Sequence, residues 1–381
     1  MANILTPFIP DLYQALDEVS RELVGFVPSV ARNSSAARAA VGENVIVPIS
    51  TALKSKDCSP AMQVPEPDEF SLDNVAITIN KSKNVSFGLN GEEYQGLNNG
   101  VGANQILAEN FKQAIRTLVN EMEIDVAKEA ALGASRAYGT AGTAPFASDL
   151  KDAAHIKKIL DDNGAPTVGR SLIIDTNAGV NLRGLTQLTN AGDAGTTMTL
   201  RQGELLPLFG LSIKESAGIQ SVAQSAIAGV TLNAAEAGAT ELTIKAATSG
   251  SLKAGDVITI AGDDNKYVVA EANSALAASG KIKIAKPGLR VAAADSASVT
   301  VVASSVRNVA FTQNAIQLVT RAPALPGGRD SAVDSYMLTD ARSGMSFEVR
   351  VYNGYRKMRA EVAAAWGVKA IKPEHIAALL G

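Results

Sequence analysis

Two histidines, His155 and His375, and a single cysteine, Cys58, are all the imidazole and thiol chemistry this chain carries. Neither histidine belongs to an H-E-x-x-H pattern, and one cysteine with two distant histidines cannot assemble a Cys/His zinc site. Acids at a recognisable cation-binding spacing are also missing, so no metal and no cofactor are expected. Adjacent carboxylates occur at Asp161 and Asp162 and at Asp263 and Asp264. Sequence neighbours point apart on a helix or turn, so neither couple makes the facing pair that acid/base catalysis requires. There is no G-x-S-x-G elbow and no G-x-x-x-x-G-K-[ST] loop. Gly100 and Gly102 begin a G-x-G without the third glycine of a dinucleotide fingerprint, and Gly327, Gly328 and Asp330 sit in a Pro/Gly loop with no lysine placed to reach a phosphate. No catalytic residue is expected, and the chain reads as a protein that is not an enzyme. One polar loop suggests another role. Asp263, Asp264 and Lys266 put both charge signs at the tip of a hairpin that could be exported to meet a symmetry mate, with a plain polar turn as the competing explanation.

Composition narrows the class. The chain has 381 residues, 46% of them hydrophobic, enough for two or three domains with real cores. Its net charge of -3, with Lys and Arg spread along the chain, advertises no electrostatic grip on nucleic acid or an anionic membrane. Aromatic residues, at 4%, are too few for base-stacking platforms. A lone cysteine excludes an intramolecular disulfide and fits a reducing compartment. No basic n-region with an apolar run opens the sequence, and no stretch reaches the roughly 20 apolar residues of a membrane helix, so a cytoplasmic place of synthesis and no membrane partner are expected.

The longest element is a helix-compatible rod from residue 103 to 138, roughly 50 Å at helical rise. Leu107, Phe111, Ile115, Leu118, Met122 and Val126 recur at i+3 and i+4 as one stripe, while Glu109, Lys112, Arg116, Glu123 and Lys128 lie off it. Before it, residues 7 to 26 pattern as an amphipathic helix with Leu12, Leu16, Val19 and Leu23 on one side and Asp17, Glu18 and Glu22 off it, followed by a small, polar arm. Residues 43 to 49 and 73 to 89 read as strands, and residues 46 to 92 as a two-stranded excursion that must lie on another surface, possibly another subunit. Asn104 is usable as a cap for the rod.

Beyond the rod, a helix over 149 to 163, a strand over 170 to 176 and a short helix over 178 to 188 form an α+β unit. Short strands near 242 to 246, 257 to 260, 267 to 270, 281 to 284 and 299 to 302 predict a small inserted barrel or sandwich. Residues 210 to 215 and 314 to 321 could be strands of the interrupted α+β unit. Met345 to Val351 and Met358 to Trp366 alternate as a hairpin turned at Asn353 and Gly354, with the rod's stripe as the natural partner of its apolar face. Pro373 opens a last helix.

This order of elements resembles the HK97-like fold of tailed-phage major capsid proteins. Residues 242 to 262, with their Gly255-Asp256 turn, are similar to the insertion-domain strands of coat proteins from Salmonella-type short-tailed phages. Residues 311 to 326 resemble the return strand of that family, and 366 to 374 its C-terminal signature. The resemblance implies an α+β HK97-like fold with an N-terminal arm (1-42), an extended β loop (43-95), a peripheral domain with a spine helix (96-148 and 340-381), an axial domain (149-224 and 304-339) and a small inserted β-barrel domain (225-303). It implies a major capsid protein that self-assembles without catalysis into an icosahedral shell of hexamers and pentamers. That shell would enclose double-stranded DNA without sequence-specific binding, form in the bacterial host cytoplasm, and use a scaffolding protein and a portal. Asp17, Glu18 and Glu22 are then candidate subunit or scaffold contacts, together with Asp263, Asp264 and Lys266. A tail or surface-layer subunit with a β module, and a hydrolase with a β accessory domain, stand as alternatives.

Overall fold

The computed structural model describes residues 24–50, 60, 72–98, 103–190, 192, 198–328, 330–340 and 345–381. The expected first helix, with Asp17, Glu18 and Glu22, lies outside the described residues, as does Cys58.

From the N-terminus, β1 (Ala31–Ala39), β2 (Asn44–Ser50), β3 (Leu72–Thr78) and β4 (Lys81–Asn90) precede α1 (Gly91–Asn98) and the long helix α2 (Ala103–Leu132). Asn104 lies inside the first turn of α2. All six residues of the expected stripe are 3% exposed or less. Phe111, Ile115, Leu118, Met122 and Val126 share one core with Val349, Val351, Ala360, Val362, Ala364 and Trp366 of the C-terminal hairpin, as the alternation predicts. Each such burial is worth about 1.5–3 kcal/mol relative to exposure. The rod is shorter than expected. It stops at Leu132, and the chain passes so close to the second strand of that hairpin at Gly133 that an added Cβ there would lie 2.3 Å from Cβ of Ala370. The chain then enters strand β5 (Arg136–Tyr138), whose backbone is claimed by sheet neighbours on both sides.

After β5 come α3 (Lys151–Asp162), β6 (Arg170–Ile174), α4 (Thr176–Gly184), α5 (Thr186–Thr189), α6 (Met198–Gln202) and β7 (Ser212–Glu215). The next segment holds β8 (Glu241–Ala246), β9 (Val257–Ile260), β10 (Lys266–Val268), β11 (Lys281–Lys283) and β12 (Val299–Val301). Then follow β13 (Ser305–Thr312), β14 (Ile316–Pro323), β15 (Asp334–Asp340), β16 (Met345–Gly354), β17 (Lys357–Ala370) and β18 (Ile376–Leu380).

Two large sheets organise these elements. In one, the order is β1-β14-β17-β16-β15, with β4 on the other edge of β17; in the other, it is β12-β9-β10-β5-β18-β13-β6-β7. The second sheet is covered on both faces, which is why its central strands read as continuous apolar runs. On β18, Ile376, Ala378 and Leu380 join the core under α2, while Ala377 and Leu379 join the core under α3. That two-sided burial makes residues 376 to 380 a strand, not the helix expected after Pro373, which opens only a 3-10 turn, Pro373–His375. Residues 314 to 321 are also placed differently. They belong to β14 in the sheet of the hairpin, and β13 is the strand that returns to the α+β sheet.

Residues 73 to 89 do not form one strand. β3 pairs with β2 as a two-stranded ribbon, and β4 runs along β17 from Asn90↔Lys357 to Lys81↔Trp366. The excursion therefore ends at Thr78, and β4 belongs to the body. The hairpin turn is likewise displaced: Gly354 pairs with Lys357, so Tyr355 and Arg356 make the loop, with Arg356 at φ 53. Register is set by the buried pairs Val349↔Val362 and Val351↔Ala360, which override the Asn-Gly signal.

The inserted segment closes on itself. Thr231–Leu232, β8 and β11 form one ladder, and β12, β9 and β10 another. Single bridges, Thr231↔Ser298 and Val269↔Ile284, join the two ladders into a ring. Leu232, Leu242, Ile244, Ile258, Ile260 and Tyr267 fill it. The ring is not detached from the body, since Lys266 and Tyr267 pair with Ala137 and Arg136 of β5.

Candidate assembly interfaces

The β2–β3 ribbon is only partly buried by its own chain. Its inner face carries Val45, Val47, Val75 and Ile77, and at its base Ile77 and Ile79 pack with Ala39, Val319 and Ala365. Its outer face presents Asn44, Ile46, Pro48, Asn74, Ala76 and Thr78 to solvent, with Ile46 65% exposed. Among the described residues no third strand joins the ribbon, so both edges offer unpaired backbone groups. Such a pair is marginal alone and gains stability by lying on another surface. Between it and the inserted ring lies a cleft of about 1000 Å³, lined by Ile49, Val75, Glu129, Leu132, Glu271, Lys283 and His375 among others.

Where the described chain begins, one carboxylate fixes it. Glu123, on α2, is 3% exposed and accepts hydrogen bonds from the backbone N–H groups of Gly25 (2.7 Å), Phe26 (2.8 Å) and Val27 (2.8 Å), and from the Ser216 hydroxyl (2.6 Å). Three backbone donors converging on a carboxylate compensate its desolvation. The helical pattern placed Glu123 off the apolar stripe and correctly so, but no local signal distinguishes a solvated glutamate from one that grips a segment 96 to 98 residues away.

The side of the six-stranded sheet remote from α2 holds a charged network the sequence reading missed. Arg38 of β1 grips Glu348 with two hydrogen bonds, 2.6 and 2.9 Å. Arg350 reaches Asp330 at 2.5 Å; the Tyr352 hydroxyl lies 2.8 Å from Asp330 and 2.9 Å from Glu361, with one proton to share between them, and Asn84 donates to Glu361 (3.0 Å). Burial, and then its hydrogen bonds to the two carboxylates, push the Tyr352 hydroxyl well above its ordinary value. Strand period 2 could have found Glu348 and Arg350 as one face, since they alternate with Val349 and Val351. Nothing local says that this face is covered. The network ties β1, the loop at 330, the hairpin and β4 into one piece.

The other singled-out residues are now placed. Asp263 accepts from the Asn265 backbone (2.9 Å) and the Tyr267 hydroxyl (2.5 Å), and Lys266 donates to the Gly139 carbonyl. Burial, then the Asp263 hydrogen bond, raises Tyr267 to about 12. The tip of the β9–β10 hairpin is thus docked on β5, not exported, with Asp263 and Lys266 engaged inside the chain and Asp264 exposed. Asp161 is held below the usual carboxylate range by hydrogen bonds from Lys157 and Arg170, and Asp162 lies 3.5 Å from Arg136. His155 stacks on Tyr138 with centroids 4.1 Å apart. His375 is pulled below its ordinary value, chiefly by burial. Among the described residues no group of three or more His, Cys, Asp or Glu could hold a metal ion, and no helix is long and apolar enough to cross a membrane.

No family model matches the chain, and no curated protein matches it. Solved structures do. The capsid structure of the cyanophage P-SCSP1u is similar over 92% of this chain and 86% of that chain, with a TM-score of 0.50 and 13% identity. A chain of Mycobacterium phage Che8 is similar over 89% and 84%, with a TM-score of 0.46 and 17% identity. A virus-like particle from Pyrococcus furiosus is similar over 98% and 99%, with a TM-score of 0.44 and 12% identity. At such an identity the cyanophage likeness shows a shared fold, which in this chain is a mixed α+β architecture.

Proposed function

We propose that this chain is the major capsid protein of a tailed bacteriophage, which self-assembles into the icosahedral shell around a double-stranded DNA genome. The observation that carries the proposal is the cyanophage capsid fold matched across 92% of the chain, in a molecule whose β2–β3 ribbon leaves two sheet edges and an apolar residue, Ile46, without cover. A shell subunit can use such an element, because symmetry repeats one weak interface many times and the sum is stable.

On this proposal residues 1-42 are the arm and 43-95 the extended loop, whose second part, β4, is laid back along β17 of the body. Residues 96-148 with 340-381 are the peripheral domain, its spine helix being α2. Residues 149-224 with 304-339 are the axial domain, apart from β14 and β15, which lie in the sheet of the hairpin; 225-303 are the inserted β-barrel domain of HK97-like coat proteins from Salmonella-type short-tailed phages. Copies gather as hexamers and pentamers in the host cytoplasm, with a scaffolding protein and a portal as partners, and the finished wall, not a basic inner face, retains the DNA. The net charge of -3 suits such a container. Asp264, exposed beside the docked Asp263 and Lys266, is the member of that loop free to meet a symmetry mate. Expression with and without a co-expressed scaffolding protein, followed by electron microscopy, tests the proposal. Closed shells are expected. Tubes or flat lattices would assign the chain to a tail or surface layer instead, and a stable monomer under both conditions would overturn the capsid reading.

A further inference from the structure

Strand β13 changes partner along one edge, and the change leaves a seam. Ser305 and Val306 pair with Val222 and Ser221, whereas residues 309 to 312 pair with β6. β18 and Gly381 hold the other edge throughout, from Phe311 to Val306. Arg307 stands at the seam, on the face of β13 that carries Val309 and Phe311 into the core shared with α2. It is 4% exposed, and its Nε and Nη1 have no hydrogen-bond partner among the described residues. Asp256 is the one carboxylate whose field reaches it, and Asp256 already accepts from the backbone N–H of Lys253 at 2.6 Å. Burial therefore dominates and lowers Arg307 to about 10. A guanidinium buried without an acceptor is costly.

Arg307 lines a cavity of about 210 Å³. Ile124, Ala127, Lys128 and Ala131 recur at i+3, i+4 and i+7, so one face of α2 forms one side of it. The segment from Gly218 to Val222 forms another. Ala127 and Ala131 are buried, while Lys128, Gln220 and Ser221 are exposed, so the wall is apolar inside and polar at the mouth. Among the described residues no acid lines it. Sites for drug-sized ligands measure roughly 300–1,000 Å³, so this one takes something smaller. An inorganic anion would answer the guanidinium and leave the apolar wall bare; a hydrocarbon would do the reverse. A carboxylate on a short apolar body does both.

We propose that this cavity binds one small organic carboxylate per chain, its carboxylate on the Arg307 guanidinium and its apolar part against Ala127, Ala131 and Ile219. Lys128 adds a second positive charge at the mouth. The segments that enter and leave the inserted ring run side by side at this point, with the Gln224 N–H donating to the Ser304 hydroxyl at 2.9 Å. An occupied cavity therefore ties the stalk of the ring to α2. The inference does not rest on the capsid reading, since it concerns a single chain.

Calorimetric titration of the full-length chain with sodium hexanoate tests it, with hexanol and inorganic phosphate as the two halves of the probe. Hexanoate is expected to bind at one site per chain. Each half should bind at least about tenfold more weakly, as loss of a charge-assisted hydrogen bond or of the apolar contact implies. Hydrogen exchange read by mass spectrometry locates the site in the unaltered chain, where hexanoate should slow exchange in peptides covering residues 124–131 and 218–222. Ala131→Leu fills the cavity and should abolish binding. Lys128→Gln, on an exposed side chain, should weaken it about threefold. Arg307→Met should abolish binding too, but it alters a buried position; if circular dichroism shows that it is not native, the ligand series and the exchange map decide the matter without it. Absence of hexanoate binding would mean that water alone answers the guanidinium, and would overturn the proposal. So would hexanol or phosphate binding as tightly as hexanoate, protection elsewhere than at the cavity, or unchanged binding in a folded Ala131→Leu chain.

Discussion

Glu123 and Glu129 lie less than two turns apart on α2 and act on stability in opposite ways. Glu123 holds the N-terminal backbone through three N–H donors and the Ser216 hydroxyl. Glutamine keeps the shape but loses the charge and one acceptor oxygen, so Glu123→Gln is expected to cost about 3 kcal/mol, given 1.5–3 kcal/mol per hydrogen bond to a charged group and incomplete loss. Urea unfolding should show a lower midpoint with an unchanged slope. Glu129 behaves oppositely. Burial, only partly offset by the N–H of Ala370, holds its carboxyl above the usual range. Because the folded value is raised, its contribution to stability is fully present below the unfolded value and is lost as pH rises through the folded one. Glu129→Gln keeps an acceptor for Ala370. Its stability by denaturant titration should match the parent near about pH 3.5 and exceed it at neutral pH.

At the scale of elements, α2 and the β16–β17 hairpin are one structural unit. Leu118 and Met122 are 1% and 0% exposed in the core they share, so Leu118→Asp would bury an unpaired charge and is expected to abolish the cooperative thermal transition. The ribbon is attached to this unit by a close backbone approach. A Cβ added to Gly367 of β17 would lie 2.2 Å from the carbonyl oxygen of Thr78, at the end of β3. Gly367→Ala must push the two strands apart, at a cost of about 1–3 kcal/mol for overpacking. A lowered Tm with faster proteolysis near residue 78 would report it; an unchanged Tm would mean that the contact can relax.

For the whole molecule, stability and assembly should separate by site. Ile46 is 65% exposed on the outer face of the ribbon, where the isolated chain gains nothing from an apolar side chain. Ile46→Asp should leave Tm within about 2 °C of the parent, as surface changes are usually within 0.5 kcal/mol. It should nonetheless reduce the yield of closed particles in electron microscopy, because the same surface recurs at every symmetry-related contact. Loss of folding in Ile46→Asp with normal folding in Leu118→Asp would show that the body and the ribbon had been assigned the wrong way round.

What local pattern encodes was legible in the amino-acid sequence. The 3.6-residue stripe of α2, the period-2 hairpin, the helix over 149 to 163 and the short strands of the inserted ring all follow from side-chain spacing, and the structure places them where that spacing says. Wherever an element's identity depends on who pairs with it, the tertiary structure decided. Residues 376 to 380 are a strand because two cores claim alternate side chains. The rod gives way beyond Leu132 because two sheet neighbours pair with residues 136 to 138, and residues 73 to 89 break at Thr78 because β17 takes the second half. Glu123 and the Arg38–Glu348 pair belong to the same class. Their partners come from segments far away in the chain, and spacing along a sequence carries no record of contacts made across it.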